Sequence, residues 1–159
     1  MNKDNFELVN ELIKRNLSIT TCESCTGGLI ASRIIDISGS SAILNEAYVT
    51  YAASSKVSLV GVDKNIIEKY GVVSEETAYE MALKASIKAK SCLAISATGI
   101  AGPTGGDVNN PVGTVCFGFK VLDKIYTKKV IFKNLGRNIV REQAVDYAIS
   151  YMLEKVKEL

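Results

Sequence analysis

The chain has 159 residues, 47% of them hydrophobic and only two of them proline, which suits one compact domain over residues 1–159 that buries a continuous core without staples. Its 19 basic and 17 acidic residues leave a net charge of +2, with the lysines scattered and not gathered into a stripe, so no nucleic-acid partner is expected. There is no histidine, which excludes the Ser-His-Asp triad, the Cys-His pair and every His-ligated metal, and any general base has to be Lys, Tyr, Asp or Glu.

The N-terminal stretch MNKDNFELVNELIKRN alternates charged with apolar residues and is not a signal peptide, and no window reaches the roughly 18 apolar residues of a membrane span. A cytoplasmic protein with no membrane partner is expected. Its four cysteines are then reduced thiols, Cys92 and Cys116 being small core residues within apolar runs.

In chain order, residues 4–16 carry Phe6, Leu8, Val9, Leu12 and Ile13 at helical spacing, with Asp4 as the expected cap. A short β-rich run, 17–22, stops at Glu23-Ser24, and 26–37 resumes a helical pattern. A strand is expected over 46–51, then a short helix capped by Ser54, another capped by Asp63 and ended by Gly71, and a strong helix capped by Ser74 with Glu75 and Glu76 in its first turn. Residues 92–97 read as a buried strand leading into TGIAGPTGGDVNNP, the one long irregular segment, a feature that in compact domains is commonly functional. Val115, Phe117, Phe119 and Val121 alternate along a strand that turns at LDK and returns as a second, an antiparallel hairpin. The last helix carries Ile139, Val140, Ala144, Tyr147, Ala148, Tyr151 and Met152 as an apolar stripe. Strands separated by helices, then a hairpin, predict an α/β domain: a three-layer α/β/α sandwich with a mixed sheet of about five strands.

The stretch ITTCESCTGG holds two candidate sites. Cys22 and Cys25 form a CxxC on a strand-to-helix turn, the context of a redox motif, but no aromatic or proline accompanies it and no second CxxC completes a zinc site. Between them Ser24 precedes Gly27 and Gly28 at the start of a helix, whose free N–H groups could hold a phosphate or the oxyanion of an acyl transfer; a simple helix cap by the Ser, Thr or Glu of that place explains the motif as well.

In YAASSK, Tyr51 ends a strand and Lys56 lies in the first turn of the next helix, where dipole and burial would lower its pKa toward that of a base. The bland reading is a strand-end tyrosine and a solvated lysine. The glycine-rich loop fits neither a Walker loop nor GxGxxG, since Gly99, Gly102, Gly105 and Gly106 lead into a strand with no Lys-Ser/Thr. It nevertheless follows the carboxyl end of a strand, where open α/β sheets bind ligands. Arg137 and Arg141, one helical turn apart, could clamp an anion or simply face solvent.

Taken together and in order, ESCTGG, GSSAILNEAYVTYAASSK, GVVSEETAYEMA, ATGIAGPTGG, PVGTVCFGF and GRNIVREQA resemble the C-terminal domain of the competence/damage-inducible CinA proteins, a domain that also occurs alone as a nicotinamide mononucleotide deamidase. The resemblance runs from about residue 5 to the end. It implies a domain that hydrolyses the carboxamide of nicotinamide mononucleotide to nicotinate mononucleotide and ammonia, in pyridine nucleotide recycling. The implied nucleophile is Ser24, with Tyr51 and Lys56 as the activating pair. The loop from Thr98 through Gly99, Gly102, Gly105 and Gly106, with Arg137, would hold the ligand; on the reading of the residues themselves, Arg141 joins Arg137 in that clamp and the amides of Thr26 and Gly27 are the expected oxyanion donors. No metal or cofactor is implied, and a homo-oligomer is expected. Cys22 departs from the family's small apolar residue, making the CxxC a coincidence, and the N-terminal domain of two-domain CinA proteins is expected to be absent with any activity it carries. Competing expectations are a non-catalytic nucleotide-binding regulatory domain and a CxxC thiol oxidoreductase.

Overall fold

The computed structural model describes residues 3–159. Its elements are α1 (Lys3–Arg15), β1 (Ile19–Glu23), α2 (Leu29–Ile35), β2 (Ala47–Val49), α3 (Ala53–Ser55), α4 (Lys64–Tyr70), α5 (Glu75–Ala89), β3 (Leu93–Gly99), β4 (Thr114–Val121), β5 (Lys124–Ile131) and α6 (Arg137–Lys157). A single 3-10 turn, Ser40–Ala42, precedes β2, and α3 runs directly into a π-helical turn, Lys56–Val60.

The five strands form one mixed sheet in the order β2-β1-β3-β4-β5, as the alternation of elements predicts. β1 pairs in parallel with both β2 and β3, whereas β4 is antiparallel to β3 and to β5. The β1–β2 connection carries α2 to the face where α1 and α6 lie. The β2–β3 connection carries α5 across the other face, so both sides are covered. Between these covers β1 is buried at every position, and β3 at all but its last residue. At the edge, β5 exposes Lys124, Lys128 and Lys129, charges that discourage edge-to-edge pairing.

The main core lies between the sheet and α1, α2 and α6. Phe117 and Phe119 stack there at 5.8 Å, and Tyr147 and Tyr151 of α6 lie 5.2 Å from Phe117 and 4.4 Å from Phe119, respectively. On the other face α5 comes unusually close to β4. A Cβ at Gly118 would stand 2.3 Å from the Ala78 carbonyl, which also accepts the Ser96 hydroxyl at 2.5 Å. No helix among the described residues is long and apolar enough to cross a membrane.

Several local expectations are corrected. Phe6 is 57% exposed, Ile139 is 45% exposed and Ile13 also faces outward; α1 instead buries Asn5, Leu8, Val9 and Leu12, a narrower face than the apolar pattern allows. Asp4 lies within the first turn of α1 and accepts from Ser150 of α6, so it ties two helices together. Ser54 does not cap α3, whose cap position is Ala52 with no side-chain hydrogen bond. Asp63 and Ser74 do cap their helices, accepting from the amides of Asn65 and Thr77. Cys92 is only half-buried and accepts a hydrogen bond from the Ser18 hydroxyl at 3.6 Å, while Cys116 is a core residue.

Candidate active site

The three parallel strands end together, and the segments that follow them meet. Ser24 comes directly after β1, Tyr51 two residues after β2, and Gly99 closes β3. The Ser24 amide donates to Ala97 of β3 at 2.9 Å, and the Thr50 amide donates to Glu23 of β1 at 2.8 Å, so the backbone stays laddered up to the point where the chains diverge. A cleft of about 250 Å³ opens there, bordered by Ser24, Cys25, Tyr51, Thr98, Gly99, Gly102, Gly105 and Arg137, with Val72, Ile100 and Ala101 as apolar wall.

Lys56 is among the largest fully buried side chains of the molecule, 0% exposed, which removes the reading of a solvated lysine. Its Nζ donates to the Thr50 carbonyl at 2.6 Å and stands 3.1 Å from Ser24 Oγ. Loss of hydration on burial lowers the pKa of this amine, against the opposing influence of Cys22 and Cys25. The π-helical turn that begins at Lys56 carries its long stem inward while Ser54, Val57 and Ser58 border a separate apolar groove on the outer side.

Capping of α2 falls to Glu23, one of the residues the cap reading of this turn allows, and not to Ser24. Glu23 is fully buried, and its carboxylate accepts from the amides of Gly28 at 3.0 Å, Ile30 at 3.0 Å and Ala31 at 2.9 Å. Three charge-assisted bonds from backbone amides hold this carboxylate, and it is in no ion pair with a side-chain cation among the described residues. Two readings of the sequence change accordingly. Ser24 is not the helix cap, so its hydroxyl is free for other work. The helix donors are filled by Glu23, so a phosphate has no place at them. The signal lay in the motif itself, an acidic residue five positions before the amide it reaches, but its partner could equally have been solvent.

The oxyanion donors are also revised. The Gly27 amide, one of the two expected, donates to the Ser24 carbonyl at 3.0 Å and is spoken for. The Thr26 amide donates to no backbone acceptor among the described residues, and the Cys25 amide reaches only the sulfur of its own side chain. Gly27 itself has φ +60°, and a Cβ there would lie 3.3 Å from a terminal nitrogen of Arg141.

Tyr51 is 62% exposed and lines the same cleft as Ser24, but its phenol makes no hydrogen bond to Ser24 or Lys56. Its hydroxyl accepts from Arg137 at 2.9 Å, while its carbonyl accepts from Ser24 Oγ at 3.3 Å. Arg137 also donates to the Gly102 carbonyl at 2.7 Å, which joins the loop to the cleft rim. The Thr98 hydroxyl donates to the carbonyl of Val72, another residue of the cleft wall, at 2.9 Å. Two expected ligand contacts lie elsewhere. Gly106 is not on the cleft wall and packs against Val112, and Arg141 reaches into the turn after Ser24, donating to Cys25 and Thr26 carbonyls.

The two thiols of the CxxC are free and buried. Cys22 belongs to the core under α5 and Cys25 to the core under α6, so they sit on opposite faces of the sheet. Burial pushes Cys22 up to about 11 and Cys25 up to about 12, the reverse of an activated thiol. Among the described residues no cluster of His, Cys, Asp or Glu could hold a metal ion.

Residues 2–156 match the CinA C-terminal domain. The chain belongs to that family. It is 45% identical to the nicotinamide-nucleotide amidohydrolase PncC of Enterobacter agglomerans, over 86% of this chain and 84% of that protein. A CinA-like protein of Kosmotoga olearia is 44% identical over 91% of this chain but only 35% of its own length, so the chain spans about a third of the longer curated relatives it matches. The crystal structure of a CinA superfamily protein from Klebsiella pneumoniae superposes with a TM-score of 0.95 at 29% identity, covering 100% of both chains. The CinA-domain α/β architecture is therefore shared across the whole described fold.

Proposed function

We propose that this CinA domain, read as a single amidohydrolase unit, hydrolyses the carboxamide of nicotinamide mononucleotide to nicotinate mononucleotide and ammonia, in pyridine nucleotide recycling. The observation that carries the reading is a fully buried lysine amine 3.1 Å from a serine hydroxyl at the floor of a cleft, in a chain without histidine. The name of the Enterobacter agglomerans relative supports the substrate class.

In this mechanism neutral Lys56 takes the Ser24 proton as Oγ attacks the amide carbon. The oxyanion is met by the amides of Cys25 and Thr26, and Lys56 returns the proton to the departing nitrogen, which leaves as ammonia. Water, deprotonated by the same amine, then splits the ester of Ser24 to give the carboxylate product. Arg137, held by Tyr51 and the Gly102 carbonyl, and the loop at Gly99–Gly105 receive the charged end of the nucleotide.

The test is ammonia release from nicotinamide mononucleotide by the purified chain. Ser24→Ala should abolish it, and the double change Cys22→Ala with Cys25→Ala should leave it largely intact. No ammonia from the unaltered chain at high enzyme concentration would favour a binding domain without chemistry, and loss of turnover on removing the thiols would transfer the role to the CxxC.

A further inference from the structure

Arg141 makes contacts that fit neither a ligand clamp nor a surface charge. Its Nε donates to the Cys25 carbonyl at 2.9 Å and a terminal nitrogen donates to the Thr26 carbonyl at 3.1 Å. Those carbonyls belong to the second and third peptide units after Ser24, and Arg141 reaches them from α6, more than a hundred residues away in sequence.

In a trans peptide the C=O and N–H of one unit point in opposite directions. Fixing the Cys25 carbonyl on the α6 side therefore turns the Thr26 N–H to the other side, away from the arginine. The neighbouring unit is fixed in the same way, because the Ser24 carbonyl accepts from Gly27 at 3.0 Å and turns the Cys25 N–H outward. Neither N–H has a backbone acceptor among the described residues, and the Cys25 N–H meets only its own sulfur, a weak acceptor. A full positive charge on the oxygen also polarises the peptide, which strengthens its N–H as a donor. Gly27 leaves room for this approach, since a Cβ there would crowd the guanidinium.

We propose that Arg141 is a positioning residue for the oxyanion hole, acting through the backbone of Cys25 and Thr26 without touching substrate. The proposal rests on the serine-amidase reading above and goes beyond it in assigning how the donors are aimed. A lysine cannot replace the fork that spans two carbonyls, so Arg141→Lys should recover only part of the function.

The experiment compares Arg141→Ala, Arg141→Lys and the unaltered chain in two assays, with Arg33→Ala as a control. Arg33 joins α2 to Glu142 and Asp146 of α6 at 2.6 Å and 3.0 Å, so its loss loosens the same helix pair without touching the turn. With nicotinamide mononucleotide, Arg141→Ala should lower kcat by about 10²-fold at nearly constant KM, Arg141→Lys should fall between, and Arg33→Ala should keep kcat. With an alkyl fluorophosphonate, whose phosphorus is attacked by Ser24 Oγ with loss of fluoride, the labelling rate should fall in the same order. A raised KM at unchanged kcat would make Arg141 a ligand contact and overturn the proposal. Equal labelling of Arg141→Ala and the unaltered chain would overturn it too, as would an unaltered chain that is not labelled at all. Labelling that depends on Arg141 without any ammonia release would leave the proposal standing and sink the assigned substrate.

Discussion

Lys56 sets the terms at the residue scale. An amine buried with no carboxylate partner among the described residues has its charged form disfavoured by lost hydration, so it is neutral at lower pH than a free lysine. A base must be neutral to act, and kcat is therefore expected to rise with pH through an ionisation below the ordinary lysine range of about 10.4. The same shift has a consequence for stability with a definite sign. Between the lowered folded value and the ordinary one, the unfolded chain binds the extra proton, so stability rises with pH across that window. Lys56→Met should remove this slope, abolish turnover and stabilise the fold by about 1 kcal/mol, or roughly 2–4 °C in Tm, measured by thermal unfolding at two pH values. A stable, inactive variant is the expected signature of a group held for chemistry. Glu23 is the opposite case, an ion that the fold satisfies fully. Glu23→Gln keeps the shape but sets an amide donor against amide donors, and should cost about 1–3 kcal/mol in urea unfolding.

At the scale of elements, hydrophobic period and caps located almost every helix and strand, and the boundaries moved where tertiary bonds intervened. The strand expected at 17–22 is observed as Ile19–Glu23, because the parallel ladder to β3 runs from Ile19 to Glu23. The helix expected from residue 26 begins at Leu29, because Cys25 to Gly28 form the turn that Arg141 and Glu23 hold open. Single-sequence patterns carry no term for either contact. The seating of α5 on β4 is likewise invisible in α5 itself and depends on an absent side chain at Gly118. Gly118→Ala should push the helix off the sheet at a cost of about 1–3 kcal/mol, read as a lower urea midpoint with an unchanged slope.

For the molecule as a whole, α6 connects core and site. Its aromatic side seats against Phe117 and Phe119, and its first turns deliver Arg137 to the cleft and Arg141 to the turn behind Ser24. Phe117→Ala should cost about 3–5 kcal/mol, a large share of the roughly 5–15 kcal/mol that holds a domain together. Activity per folded molecule should fall with it as α6 loosens, which circular dichroism and ammonia release measured together would separate. By itself the sequence determined the α/β class, the hairpin, the exclusion of histidine chemistry and the short set of residues that could replace it, since composition, period and motif spacing are local properties. Only the tertiary structure decided which of them meet. Residues 24, 56, 97 and 141 converge because parallel strands end on one edge and helices cross on both faces. That convergence buries one lysine beside Ser24, gives Tyr51 to Arg137, and commits Arg141 to the backbone instead of to a ligand.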